Sequence, residues 1–186
     1  MDPAQVRDTV VVINGLPDGS SALRHGLSDR WVVLEPELAG SGISAVHELE
    51  AAIAGLAPEN YGVVGVSSGA ELAIRHALRS PERVAVLALI SPPIVGRNAA
   101  GAGSELPNQI GQIQCPTLVV FGQEDPLAAS ARVYRERIPN CNIAFVYDAG
   151  HDIPAERPQA LLNLVADYLQ RRETFIVQNR SSLISP

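Results

Sequence analysis

Six short, nearly continuous apolar runs constrain this chain more than any other feature. They are "TVVVIN" (9–14), "WVVLE" (31–35), "YGVVGV" (61–66), "RVAVLALI" (83–90), "TLVVF" (117–121) and "IAFVY" (143–147). A strand with one face in water alternates apolar and polar residues, and these do not. Unbroken Val, Ile and Leu imply burial on both faces, hence a parallel sheet covered by helices. The segments between most runs have helical spacing. "SAVHELEAAIAGL" places Val46, Leu49, Ile53 and Leu56 on one face, and "AELAIRHALRS" turns Leu72, Ile74 and Leu78 toward a core. "PQALLNLVADYLQRR" lines up Leu161, Leu164, Val165, Tyr168 and Leu169. The alternation predicts an α/β fold: a doubly wound, mainly parallel sheet of about six strands with helices on both faces.

One stretch breaks the pattern. Residues 91–115, rich in Gly, Ala, Pro and Asn, read as a loop with at most a short helix near 105–112. A chain of 186 residues fits one domain. The expected organisation is a single domain over 1–172 and a tail over 173–186. "TFIV" (174–177) has strand propensity, so the tail is either a disordered end or an arm that packs on the body or on a partner.

A formal net charge of -6 argues against a nucleic-acid surface, which needs a basic stripe. The first residues carry no basic segment followed by an apolar one, and no apolar run approaches ~18 residues. No signal peptide, no membrane span and a cytoplasmic location are therefore expected. Cys115 and Cys141 make no disulfide framework and read as reduced, buried thiols. No metal-ligand spacing and no cofactor-binding glycine loop stands out, so neither a metal nor a cofactor is expected.

The third run ends in "GVSSG" (65–69), a G-x-S-x-G pattern between a strand and a helix. Serines and glycines also make ordinary turns. In this setting, though, the central Ser67 would sit on a sharp bend with its hydroxyl above the sheet edge. The amide of Ser68 would then open a helix, where partial positive charge gathers. A serine needs a base. Of the four histidines, His25, His47 and His76 read as surface or partly buried residues. His151, in "YDAGHDIP", follows a strand and so lands on the same rim as Ser67. The base needs an orienting carboxylate. Asp125 follows the strand ending at Phe121, with Glu124 beside it as a substitute; Asp148 and Asp152 flank His151 too closely to reach its far nitrogen.

Together these segments resemble the α/β-hydrolase family over about residues 9–172. "GVSSGA" resembles the nucleophile elbow, "TLVVFGQEDPL" the acid turn, and "DAGHDIPAERPQAL" the histidine loop. "VVVINGLPDGSSALR" resembles the segment carrying the family's oxyanion motif, with Asn14 where a histidine is usual and Glu37 replacing an aspartate further on. The resemblance implies a triad of Ser67, Asp125 and His151. It also implies an oxyanion hole built from the backbone amides of Leu16 and Ser68. The large helical cap of fuller members is missing, so an open site is expected, where a second copy of the chain is a candidate for the missing wall.

The resemblance implies a serine hydrolase acting on a small carboxylic ester or thioester. The same site serves carbon–carbon bond hydrolases, lyases and acyltransferases. A non-catalytic binding scaffold is the remaining class, with Arg75, Arg79 and Arg83 as a basic stripe for an acidic partner, or simply a solvated face.

Overall fold

The computed structural model describes residues 8–16, 21–39, 42–56, 59–93, 106–172 and 183–184. The strands are β1 (Thr9–Asn14), β2 (Val32–Leu34), β3 (Tyr61–Val66), β4 (Val84–Ile90), β5 (Thr117–Gly122), β6 (Cys141–Val146) and β7 (Leu183–Ile184). The helices are α1 (Ser21–Ser28), α2 (Gly42–Ile53), α3 (Ser68–Arg79), α4 (Leu106–Gln109), α5 (Ala131–Arg137), α6 (Ile153–Glu156) and α7 (Pro158–Arg171). All strand pairs are parallel, in the order β2-β1-β3-β4-β5-β6-β7.

Every residue of β3 and β5 is buried, which is why these runs carry no polar alternation. Alternate residues feed two cores. Val11, Ile13, Val63, Leu87 and Val119 face a layer that contains Leu49 and Ile53 of α2 and Ile74 of α3. Val10, Val12, Val64, Ala88 and Val120 face Leu23 of α1 and Leu161, Val165 and Tyr168 of α7. Val63 and Val64 are both 0% exposed, and each such side chain contributes roughly 1.5–3 kcal/mol by leaving water.

The parallel sheet is of the expected class, and β7 adds a seventh strand where Leu183 and Ile184 pair with Phe145 and Val146; "TFIV" lies outside the described residues. Two expectations need correction. Helix α2 stops at Ile53, so Leu56 sits in the following turn and is exposed. Gly55, just before it, disfavours another helical turn. The second strand shrinks to Val32–Leu34, since an edge strand has one neighbour and only Thr9, Val10 and Val11 are in register with it.

In the expected loop, α4 and a 3-10 turn (Ile110–Gln112) occupy the region where a short helix was anticipated. Residues 94–105 lie outside the described set. The strand order reverses between the adjacent β1 and β3: the chain leaves β1 for β2 on one side and β3 for β4 on the other. In open α/β sheets the crevice beyond the carboxyl ends of such strands is where ligands bind. Asn14 ends β1, pairs in register with Val66, and so faces the elbow across this crevice.

Candidate active site

Ser67 lies between β3 and α3 with φ 50 and ψ -122, a conformation that side chains rarely adopt and that costs ~1–3 kcal/mol. Its neighbours enforce the bend. Its N–H donates to Ile90 O at 2.8 Å, and its carbonyl accepts from Ala70 N–H at 3.0 Å. Helix α3 also packs too closely for larger residues. A Cβ on Gly65 would stand 2.6 Å from Ala70 Cα, and one on Gly69 would stand 2.2 Å from Ile13 O. Serine at a helix N-cap commonly bonds back to the helix. Ser67 makes no such bond. Its hydroxyl lies 3.0 Å from His151 Nε2 instead.

The acid turn and the histidine loop cross at the ends of β5 and β6. Gln123 N–H donates to Val146 O and Glu124 N–H to Ala149 O, each at 2.9 Å. A Cβ on Gly122 would fall 2.0 Å from Gly150 O, so only glycine allows this crossing. Asp125 is buried, and its Oδ1 accepts from Leu127 N–H at 2.9 Å, capping a 3-10 turn. Its Oδ2 lies 2.9 Å from His151 Nδ1. A carboxylate only accepts, so Nδ1 carries the proton and Nε2 is left to accept from Ser67 O–H.

The other acids stand elsewhere. Glu124 is exposed. Asp148 pairs with Arg157 at 3.0 Å, and Asp152 caps α6 by accepting from Ala155 N–H at 3.2 Å. Glu156 accepts the N–H of Gly150, bracing the residue before His151. Glu37 is exposed beyond β2.

The structure thus brings Ser67, His151 and Asp125 into one line. The expected oxyanion donors divide. Ser68 opens α3, and its N–H has no acceptor among the described residues. The Leu16 N–H is not open, because it donates to Asn14 Oδ1 at 3.0 Å while Asn14 Nδ2 donates to Leu16 O at 2.7 Å. Sequence reasoning noted Asn14 as a departure but missed what it does. The signal was present: asparagine readily bonds the backbone two residues on.

His76 also differs from expectation. It is fully buried, on the α3 face shared with Ala73, Ile74 and Ala77. Its Nε2 bonds Tyr61 Oη at 2.8 Å, and Nδ1 has no hydrogen-bond partner among the described residues, with Glu50 Oε1 3.9 Å away. Burial is the main cause lowering its pKa; Glu50 opposes, and Arg83 and Arg79 reinforce the lowering. Arg75 is bonded to Glu71, Arg79 to Glu50, and Arg83 lies 5.2 Å over the Tyr61 ring. The supposed basic stripe is engaged within the chain.

No protein-family model matches the chain. A stretch of 59 residues, 32% of the chain, is 29% identical to ABHD14B of Rattus norvegicus, a candidate protein-lysine deacylase; the match spans 28% of that protein. Among solved structures, the carboxylesterase CesB of Bacillus subtilis is similar, with a TM-score of 0.71, 15% identity and coverage of 90% of this chain and 85% of that one. The meta-cleavage product hydrolase of Pseudomonas fluorescens gives 0.74, 18% identity and coverage of 88% and 91%.

Proposed function

We propose that this chain, which has the α/β-hydrolase fold, is a serine hydrolase that cleaves a carboxylic ester or thioester through an acyl-enzyme on Ser67. The observation that carries the reading is the line from Ser67 Oγ through His151 to Asp125, with bonds of 3.0 and 2.9 Å, set on a strained strand-to-helix turn. A structural turn has no need of a serine with φ 50 whose hydroxyl faces an imidazole rather than the helix it begins.

Ser67 Oγ attacks the acyl carbon while His151 Nε2 takes the hydroxyl proton. Asp125 Oδ2, already bonded to Nδ1–H, stabilises the imidazolium that forms. The carbonyl oxygen becomes an oxyanion and accepts from Ser68 N–H at the start of α3. The carbon–oxygen or carbon–sulfur bond then breaks, and His151 returns the proton to the leaving group. Water, deprotonated by the same imidazole, releases the carboxylic acid and restores Ser67.

The same residues serve carbon–carbon hydrolysis, and one structure similar to the chain is a meta-cleavage product hydrolase. A partial relative named for lysine deacylation adds an amide substrate to the choice. Labelling with a fluorophosphonate probe tests the core of the proposal. Wild type and Ser68→Ala should label, and Ser67→Ala should not. Labelling that persists in Ser67→Ala sinks it. A panel of short p-nitrophenyl esters, acyl thioesters, a vinylogous 1,5-diketone and an acetyl-lysine peptide then separates the substrate classes.

A further inference from the structure

We propose that the side-chain amide of Asn14, rather than the backbone amide of Leu16, is the second oxyanion donor. The inference rests on the acyl-transfer reading above. Asn14 ends β1 at the point where strand order reverses, and its register partner Val66 immediately precedes Ser67. Its carboxamide is held at both ends by one residue, through Leu16 N–H to Oδ1 at 3.0 Å and Nδ2–H to Leu16 O at 2.7 Å. These bonds fix which terminal atom is oxygen and which is nitrogen, because a backbone N–H only donates and a carbonyl only accepts.

Two consequences follow from the chemistry of the group. Leu16 N–H is already spent, so offering it to a substrate would break an existing bond. A carboxamide nitrogen carries two protons. The one on the Oδ1 side serves Leu16 O; the other has no acceptor among the described residues. The residues 14–16 strap also lies against the first donor. A Cβ on Gly15 would stand 2.7 Å from Ser68 N, and Ser68 Oγ donates to Gly15 O at 3.3 Å. Through Gly15, the residue 14–16 strap and the start of α3 thus border the same crevice. A side-chain donor pinned by two bonds is preorganised, which makes such groups effective toward developing negative charge.

The test compares three variants by burst kinetics with p-nitrophenyl acetate. These are Asn14→Ala, Asn14→Asp, and a chain whose residue 16 is the α-hydroxy analogue of leucine, which replaces the N–H by an ester oxygen. Asn14→Asp keeps an acceptor for Leu16 N–H but loses the bond to Leu16 O together with the donor. Asn14→Ala and Asn14→Asp should each lower the acylation rate by about 10² to 10³ with KM little changed. Affinity for a trifluoromethyl ketone should fall in parallel, and the backbone ester should cost less than about tenfold. A loss of 10² or more from the ester, alone or equal to that from Asn14→Ala, overturns the assignment in favour of Leu16. So does an Asn14→Asp that acylates like wild type. Ser67→Ala run beside them keeps the two questions apart: a burst that survives it defeats the acyl-enzyme itself, whatever Asn14 does.

Discussion

Ser67 Oγ and His151 Nε2 are 84 residues apart in sequence and 3.0 Å apart in space. Parallel strands make this possible. β3 and β6 end on one rim, and each hands its chain to a turn that stops within reach of the other. Removing the proposed nucleophile from a group that acts as a unit should cost nearly all of its effect. Ser67→Ala is expected to lower turnover by ~10⁵ to 10⁶. Ser68→Ala loses only an exposed 3.3 Å bond to Gly15 O and should stay within a few-fold. Steady-state assay of both decides between the two serines, and a dead Ser68→Ala beside an active Ser67→Ala would reverse the assignment.

Asp125 holds the imidazole tautomer through its Oδ2. Asp125→Asn should therefore lower kcat by roughly 10⁴ while leaving the thermal midpoint close to wild type. Glu124 is exposed and contributes its backbone N–H, not its carboxylate, to the histidine loop. Glu124→Gln should change kcat by no more than a few-fold. Equal losses from both variants would leave the acid at either position.

Gly122→Ala probes the crossing of the acid and histidine loops. The added methyl would fall 2.0 Å from Gly150 O and 2.3 Å from Ala149 O, both backbone atoms that must move. Overpacking of this kind costs about 1–3 kcal/mol. The displaced segment leads straight into His151, and a misplacement of about 1 Å costs on the order of 10²-fold in rate. Activity should therefore fall further than stability, measured as kcat against urea midpoint. A stable variant with normal kcat would show that the loops accommodate the methyl without moving the imidazole.

Fold and candidate triad were legible for one shared reason. Strands buried on both faces write continuous Val and Ile into the sequence, and in a parallel sheet every strand end falls on one rim. Ser67, Asp125 and His151 each follow such a run, so their convergence could be read before any distance was known. The rest depended on contacts that periodicity does not encode. Leu56 continues the apolar spacing of α2, but the helix ends before it. His76 looks polar in a helix, yet its ring is buried against Tyr61. The pairing of Leu183 with Phe145 depends on where the tail returns, which local pattern does not state. Asn14 was visible as a substitution, but its two bonds to Leu16 required the strap's conformation.

The thiols offer a check on burial. Burial pushes Cys115 up to about 11 and Cys141 up to about 12. The thiolate is the reactive form. Native protein treated with iodoacetamide at pH 8 should be alkylated slowly at both, and rapidly once unfolded in guanidinium. Mass spectrometry of the two samples reads the difference, and fast native labelling of Cys115 would mean that this part of the core opens readily.

The last expectation concerns acid stability and His76. The groups facing its ring are Tyr61 from β3, Glu50 from α2, and Arg79 and Arg83, with His47 bonded to Arg79 at the surface. Because its folded pKa lies below the ordinary value of about 6.5, the unfolded chain binds this proton more readily than the folded one. Above about pH 6.5 both states are neutral at His76 and it adds no pH dependence. As pH falls below that value the unfolded chain is protonated first, and stability drops by up to ~1.4 kcal/mol per pH unit until the folded pKa is reached. His76→Gln keeps a polar partner for Tyr61 Oη and cannot take up a proton. Urea midpoints measured from pH 7.5 to 5 should therefore fall more steeply for wild type than for His76→Gln, with carboxylates and the exposed histidines contributing equally to both. Parallel curves would mean that His76 is protonated in the folded state as easily as in the unfolded one, with Glu50 closing on Nδ1 to hold the charge.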